Sequence, residues 1–259
     1  MDNYDFVIIT ESEPKVDWLS RSLQSRGFSV LVGDLSDVDS RSVNVLFYYS
    51  KILTSSFLNA VSDTMILNVH NSLLPDYRGL HAFSWAIEFG ERRLGYTLHK
   101  VSAEVDAGQI LAQTEFDLPL DCDVNCAFRV GLQTLEEWLP MTLEKLIRHE
   151  LPEHPKTVVP RENPHELFKR RSGPYVLTGE FDMKRLKNAL RASNPPYAQG
   201  LVFHRDDNQQ KVYLLPFSRE CREWVSRQES ELLVETVPCA DGSLIVNSIV
   251  IDSVRQINP

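Results

Sequence analysis

The chain has 259 residues, of which 42% are hydrophobic and 24% are charged, and its formal net charge is −9. This composition is ordinary for a globular protein of one large domain, or of a domain with a smaller partner. The negative charge argues against broad contact with nucleic acid, which needs a positive face. No apolar run approaches the roughly 20 residues that span a bilayer, so we expect no membrane contact.

The N-terminus and the cysteines indicate a cytoplasmic protein. Residues 1–5 carry two acidic side chains where a signal peptide would carry basic ones. Four cysteines stand at positions 122, 126, 221 and 239, without the paired CxxC units of a zinc site. In a chain with no export signal we expect them to be reduced thiols.

The first 50 residues predict the start of a parallel sheet. An apolar, β-branched run predicts a strand over 4–10, and a helix over 14–25 follows. Residues 29–32 and 43–49 predict two further strands, and this order is typical of a doubly wound α/β sheet. The turn at 11–14 has two glutamates and no GxGxxG motif, so a dinucleotide cofactor is not expected there.

Alternating patterns continue through the rest of the chain. The predicted elements are a helix at 55–61, a strand at 65–70, a helix at 81–89, strands at 95–101 and 109–116, a long helix at 124–149, a helix at 182–192, and strands at 200–204, 212–216, 232–237 and 244–251. We therefore expect an α/β protein with a doubly wound, Rossmann-like, mostly parallel sheet. The predicted domains are a catalytic domain at 1–150, a proline-rich linker at 151–178 and a small β-rich C-terminal domain at 179–259.

Two polar side chains follow the apolar strand at 65–70. Asn68 and His70 are two residues apart, so both project from the same side of the strand, just before the break made by Pro75 and Gly79. Ligands of open α/β sheets bind at the carboxyl ends of the strands. Asp106 follows His70 by 36 residues and begins the sequence Asp-Ala-Gly. An amide, an imidazole and a carboxylate favour acyl-transfer chemistry over a phosphate site.

Transfer of an acyl group to an amine assigns a role to each of these residues. Asn68 can donate to the oxygen of the reacting carbonyl, and His70 can donate to that oxygen and exchange the proton of the amine. Asp106 would orient His70 and raise its pKa. Alternatively, His70 is a core histidine and Asp106 merely starts a turn. His70, His81 and Asp106 could also hold a metal ion, but without an HExxH or HxH motif we expect none.

Several motifs resemble the 10-formyltetrahydrofolate-dependent formyltransferases. They are Asn68-Val-His70, Ser72-Leu-Leu-Pro75, Arg78-Gly79, Gly95-Tyr-Thr-Leu-His99 and Asp106-Ala-Gly108, and the resemblance is clearest over 44–116. A second similarity, at 179–182 and 194–197, resembles the domain junction of formyltransferases that act on nucleotide-linked amino sugars. The chain departs from the family pattern at Asn71, at Leu80 and at Ala82 or Phe83.

The resemblance implies functional residues, a co-substrate and a homodimer. Catalysis would rest on Asn68, His70 and Asp106. The residues implied in folate binding are Lys51, Ile52, Leu53, Leu80, Ser102, Ala103, Glu104 and Val105. Tyr77 and Arg78 would contact the substrate, although Arg78 could also form a surface ion pair. The formyl donor would be 10-formyltetrahydrofolate, released as tetrahydrofolate.

The amine acceptor is the least determined part of the prediction. Length, acidic charge and the basic segment 161–191, with eight Lys or Arg against four acids, favour a nucleotide-linked dideoxyamino sugar of O-antigen or lipopolysaccharide synthesis. Methionyl-tRNA is an alternative, but residues 201–259 carry a net charge of −3. A small metabolite amine such as glycinamide ribonucleotide is a third candidate. A folate-binding module or folate deformylase is the alternative outside the transferases.

Overall fold

The computed structural model describes residues 4–152, 175–176, 181–193, 201–204, 211–215, 223, 227 and 232–250. The chain divides into two compact units that interleave along the sequence. The first comprises Met1–Ala82, Leu94–Phe116 and Gly131–Lys169, and the second comprises Phe83–Arg93, Asp117–Val130 and Arg170–Pro259. The predicted domain boundaries at 150 and 179 stay a prediction.

A six-stranded sheet organises the first half of the chain. Its strands are β1 (Phe6–Ile9), β2 (Val30–Gly33), β3 (Val43–Leu46), β4 (Ile66–His70), β5 (Arg93–Lys100) and β6 (Ile110–Asp117). They lie in the order β2-β1-β3-β4-β5-β6; the first four are parallel, and β5 is antiparallel to β4. The mostly parallel, Rossmann-like sheet predicted from the sequence is therefore confirmed.

The helices form where the apolar residues recur at helical spacing. Among the described residues they are α1 (Glu13–Ser25), α2 (Ser55–Ala60), α3 (Ala82–Glu88), α4 (Val124–Ile147) and α5 (Met183–Ala192), and a 3₁₀ turn lies at Leu35–Asp37. Helix α1 buries Val16, Leu19 and Leu23, and Pro14 stands in its first turn, where its missing N–H costs nothing. Helix α3 is followed by Gly90 at φ +85°, as its sequence predicts.

Strand β1 is buried over its whole length, as expected for a strand covered on both faces. On one face, Val7 and Ile9 pack with Leu46 and Ile66 in a single apolar cluster. Full burial excludes water from the backbone of the central strands, which fixes their register. The carboxyl end of β4 is thereby held in one position.

Strand β5 departs from the simple alternation expected for it. All residues from Leu94 to His99 are buried, as expected for a strand whose two faces are both covered. The polar member Thr97 therefore pairs internally: its hydroxyl donates to the Ser72 carbonyl at 2.7 Å and accepts from the Leu74 N–H at 3.1 Å. These bonds hold the chain where it leaves β4.

The second sheet has five strands in the order β10-β11-β9-β8-β7. Its strands are β7 (Tyr175–Val176), β8 (Leu201–His204), β9 (Lys211–Leu215), β10 (Leu232–Cys239) and β11 (Gly242–Val250). The short β7, parallel to β8, adds to the four predicted strands. Leu186, Ala189 and Leu190 of α5 form an apolar core with Val237 and Val246, which matches the predicted small β-rich C-terminal part.

The state of the cysteines and contact with a membrane were also predicted from the sequence. Cys122 and Cys126 are joined by a disulfide, so the expectation of reduced thiols is wrong for this pair. Their separation of four residues at the start of α4 brings the two Cα atoms to 5.4 Å, within the range of such a bridge. Across the described ranges, no helix combines the length and apolar character of a membrane span.

Candidate active site

The end of β4 and the neighbouring β5 position the site. Asn68 pairs with His99 in the antiparallel register, and His70 pairs with Thr97. Directly opposite residues of two adjacent strands project to the same face, so Asn68, His70 and His99 share one side of the sheet. The loop after β5 adds Asp106. All four residues belong to the first unit.

Asp106 lies at the centre of these side chains. Its Oδ1 is 3.3 Å from Asn68 Nδ2 and 3.5 Å from His99 Nε2, and its Oδ2 is 3.5 Å from His70 Nδ1. The Gly79 N–H donates to Oδ2 at 2.9 Å. The structure thus brings together the three residues predicted to be catalytic and adds a fourth, His99.

His99 fixes the orientation of the Asn68 amide. Its Nδ1–H donates to the Lys100 carbonyl at 2.9 Å, so its Nε2 is an acceptor and faces Asn68 Nδ2 at 3.1 Å. Asn68 Nδ2 therefore points one hydrogen at His99 and the other at Asp106. The sequence alone assigns no catalytic role to His99. Its place opposite Asn68 depends on the antiparallel register, which the alternation of residues does not reveal.

His70 is buried, with 6% of its surface exposed. Its Nε2–H donates to the Tyr77 carbonyl at 2.9 Å, which leaves Nδ1 toward Asp106. Burial lowers the pKa of His70 below its ordinary value of 6.5, although the Asp106 charge acts in the opposite direction. Asp106 thus acts on the pKa of His70 in the direction expected from the sequence, but the burial of the imidazole outweighs it. His70 is neutral at pH 7 and suited to accept a proton.

Asp106 is ionised in this setting. Burial acts to raise its pKa, but the interactions with His99 and His70 and the hydrogen bond from the Gly79 N–H together bring the pKa to about 2. The carboxylate can thus stabilise a proton on His70 without taking it up.

Tyr77 and Arg78, predicted to contact the substrate, face the protein. Tyr77 is 5% exposed and gives its carbonyl to His70. The Arg78 guanidinium donates to the Val105 carbonyl and to the Glu104 carboxylate.

The turn Lys51–Leu53, predicted to bind folate, is anchored by Glu11. In the sequence, this glutamate served only to argue against a dinucleotide cofactor. Glu11 accepts from both the N–H and the hydroxyl of Ser50, at 2.8 and 2.7 Å, and pairs with Lys51 at 3.2 Å. The Ser50 bonds, with help from Lys51, lower the pKa of Glu11. Ile52 is 79% exposed. Glu11 therefore holds a turn whose apolar side chain is presented to solvent.

The other residues predicted to bind folate lie in two different environments. Ser102 and Ala103 line a cavity of about 460 Å³ that extends along residues 58–66 and Lys100. Glu104 and Val105 are engaged by Arg78, and Leu80 is half-buried in the turn before α3. The side chains of Lys51, Ile52, Leu53 and Leu80 do not line this cavity. Among the described residues, no group of three or more His, Cys, Asp or Glu side chains could hold a metal ion.

Residues 24–127 match the family model described as Formyl transferase. The methionyl-tRNA formyltransferase of Fervidobacterium nodosum is 31% identical over 179 residues, which cover 66% of this chain and 52% of that protein. The phosphoribosylglycinamide formyltransferase of Haemophilus influenzae is 42% identical over 84 residues, 32% of this chain and 39% of that protein.

A solved structure extends the likeness over both units. The N-formyltransferase from Helicobacter canadensis, in complex with folinic acid and dTDP-3-aminofucose, has a TM-score of 0.67 at 15% identity and covers 95% of this chain and 99% of that one. At this identity the likeness establishes a common fold. The chain spans about half the length of the curated relatives it matches.

Proposed function

We propose that this chain, of which residues 24–127 match the formyl transferase family model, transfers a formyl group to the primary amine of a nucleotide-linked dideoxyamino sugar. The observation that carries this proposal is the cluster around Asp106. A buried, neutral histidine and a fixed amide both lie within 3.5 Å of one ionised carboxylate. These are the groups that acyl transfer to an amine requires.

The residues have distinct roles in the proposed reaction. 10-Formyltetrahydrofolate supplies the formyl carbon and leaves as tetrahydrofolate. His70 accepts the proton of the attacking amine at Nδ1 as the new C–N bond forms, and Asp106 stabilises the resulting imidazolium. Asn68 exchanges its 3.3 Å bond to Asp106 for one to the carbonyl oxygen as that oxygen becomes negative. His70 then returns the proton to the departing folate nitrogen.

The surroundings of the site are compatible with a folate. The Lys51–Leu53 turn offers the exposed Ile52, and the loop after β5 offers backbone groups at Ser102 and Ala103 beside a cavity of about 460 Å³. We assign folate binding to these two segments.

The choice of acceptor is supported by the fold and by charge. The likeness to the Helicobacter canadensis enzyme, solved with a nucleotide-linked amino sugar, covers nearly the whole of both chains. Residues 201–259 carry a net charge of −3, which disfavours the phosphate backbone of a tRNA. Such a product would serve O-antigen or related polysaccharide synthesis. A homodimer and a cytoplasmic location remain part of the proposal.

Methionyl-tRNA is the second candidate acceptor. It is favoured by the 31% identity to the Fervidobacterium nodosum enzyme. The two acceptors differ in what they demand of the protein: a tRNA requires a positive surface with a steep dependence on salt, whereas a sugar nucleotide requires contacts to only a few phosphate oxygens.

The test is an acceptor panel incubated with 10-formyltetrahydrofolate and read by mass spectrometry. The panel contains nucleotide-linked amino sugars, methionyl-tRNA and glycinamide ribonucleotide, with one arm lacking any acceptor. We expect a gain of one formyl group on an amino sugar, and no gain with the His70→Ala variant. Formylation of methionyl-tRNA alone would establish the second candidate, and formate release without an acceptor would indicate a deformylase.

A further inference from the structure

The turn at Arg78 and Gly79 lies against the loop that carries Asp106. Arg78 Nε donates to the Val105 carbonyl at 2.9 Å, and Arg78 Nη2 donates to the same carbonyl at 2.5 Å and to the Glu104 carboxylate at 2.7 Å. The adjacent Gly79 N–H donates to Asp106 Oδ2 at 2.9 Å. Two consecutive residues therefore hold the loop immediately before Asp106 and the Asp106 side chain itself.

Asp106 needs support of this kind because its backbone is in an unfavourable region. Its φ is +49°, a left-handed conformation that L-residues other than glycine adopt rarely. A small rotation at this position would move both carboxylate oxygens, one of which faces Asn68 and the other His70. The orientation of the Val105 carbonyl, which precedes Asp106, sets that rotation.

The chemistry of the guanidinium matches this task. Two N–H groups converge on a single carbonyl, a fork that a lysine ammonium does not reproduce. The Arg78 side chain is 21% exposed, whereas Glu104 is 73% exposed. The ion pair with Glu104 is therefore weakened by solvent, and the sheltered bonds to Val105 carry the interaction.

We propose that Arg78 is a positioning residue that holds Asp106 in register with Asn68 and His70, a role that rests on the proposed formyl transfer. This role replaces the substrate contact expected from the sequence. The two roles have different kinetic signatures. Loss of a positioning residue lowers kcat, because a displacement of about 1 Å at the reacting groups costs on the order of 100-fold, whereas loss of a binding contact raises KM.

The experiment compares Arg78→Met and Arg78→Lys with a matched control, Arg92→Met. Arg92 also donates a guanidinium N–H to a backbone carbonyl, that of Leu118 at 2.9 Å, but away from Asp106. We expect kcat to fall roughly 10- to 100-fold in Arg78→Met with the acceptor KM changed less than about threefold. Arg78→Lys should lose less, and Arg92→Met should retain full turnover. An acceptor KM raised tenfold or more at unchanged kcat would overturn the proposal.

Two further readouts separate positioning from general loss of structure. Millimolar guanidinium should restore part of the turnover of Arg78→Ala, while methylammonium should not. Amide hydrogen exchange of Gly79, measured without substrates, should be accelerated in Arg78→Met and Arg78→Lys and unchanged in Arg92→Met. If Gly79 exchange and turnover both match those of the wild type, Arg78 does not position Asp106. If the wild-type chain formylates no amine while Gly79 exchange responds to Arg78, the proposed function fails and the structural role of Arg78 stands.

Discussion

At the scale of single residues, Asn68 and His99 act as one unit. Asn68 alone was predictable as a donor, because it precedes His70 by two residues on a strand that ends at a break. The orientation of its amide was not predictable, because it depends on the acceptor His99 Nε2. That nitrogen is an acceptor since the hydrogen of the ring lies on Nδ1, which donates to the Lys100 carbonyl. A sequence carries no direct signal for which of two imidazole nitrogens bears the hydrogen.

This pairing predicts a non-additive loss of activity. Asn68→Ala should lower kcat by roughly 100-fold or more, the cost of removing one donor to a developing oxyanion. His99→Phe keeps the ring but removes the acceptor for Asn68, so it should also lower kcat, and the two losses should overlap in the double variant. Steady-state kinetics of the wild type, the two single variants and the double variant give the coupling free energy between Asn68 and His99, expected at about 0.5–3 kcal/mol. Fully additive losses would show that His99 does not act through Asn68.

His70 gives the second prediction at this scale. Because burial keeps His70 neutral at pH 7, its protonation should reduce kcat/KM only below pH 6.5, its unperturbed pKa. His70→Gln should lower kcat by roughly 10²- to 10⁴-fold and remove that acidic limb, while folate still binds. The measurement is a pH–rate profile with a folate titration as its control. A wild-type profile that falls as pH rises from 6.5 to 7.5 would mean that protonated His70 is the active form.

At the scale of elements, the sequence predicted the strands and helices well and their pairing poorly. The apolar run of β1 and the helical spacing of α1 are local signals, and both elements form where expected. Burial of β5 on both faces is not a local property, since it depends on the parts of the chain that pack against the two faces of the sheet. The Cys122–Cys126 bridge was missed for a similar reason: it depends on geometry that residue spacing alone did not establish.

The third prediction concerns the packing of α4 on the sheet. Gly131 stands in α4, where alanine would favour the helix by about 1 kcal/mol. A Cβ at this position would lie 2.6 Å from the Tyr96 hydroxyl and 2.8 Å from Phe116 Cζ, however, so Gly131→Ala should destabilise the protein by about 1–3 kcal/mol. Tyr96→Phe removes the nearer atom and should recover part of that loss.

Urea denaturation of the wild type, the two single variants and the double variant measures this coupling. Gly27→Ala provides a contrast, because a Cβ there meets no atom within 4 Å but Gly27 has φ +91°, so its cost comes from the backbone alone. Tyr96→Phe should therefore give no recovery in the Gly27→Ala background. Stabilisation by Gly131→Ala would show that α4 and the sheet do not approach as closely as described.

At the scale of the whole molecule, acid stability connects the site to folding. Much of the architecture follows from composition and order of elements, but an acidic chain of net charge −9 does not reveal which carboxylates are paired in the folded state. Asp106 is one, with a pKa of about 2, below its ordinary value of 3.8. Asp39 has a pKa that is also about 2, because it is bonded to Arg41, an arginine whose side chain is 54% exposed.

A carboxyl whose pKa is lowered by folding stabilises the folded state at pH values above its pKa in the unfolded chain. This stabilisation is lost as the pH falls through the pKa of the folded state. Asp106 should therefore contribute on the order of 2 kcal/mol above pH 4 that disappears toward pH 2, by linkage. His70 acts separately: its lowered pKa destabilises the folded state as pH drops below 6.5, since the unfolded chain then binds the additional proton. Stability should thus decline in two stages on acidification.

Urea midpoints measured from pH 2 to pH 8 separate these contributions. Asp106→Asn should flatten the decline between pH 4 and pH 2, and His70→Gln should flatten the part just below pH 6.5. Asp39→Asn removes a carboxyl of similar pKa that is paired with the exposed Arg41. It should change the profile less, because solvent screening weakens exposed pairs. An Asp106→Asn profile parallel to that of the wild type below pH 4 would mean that the carboxylate is not held by His99, His70 and Gly79 as the structure has it.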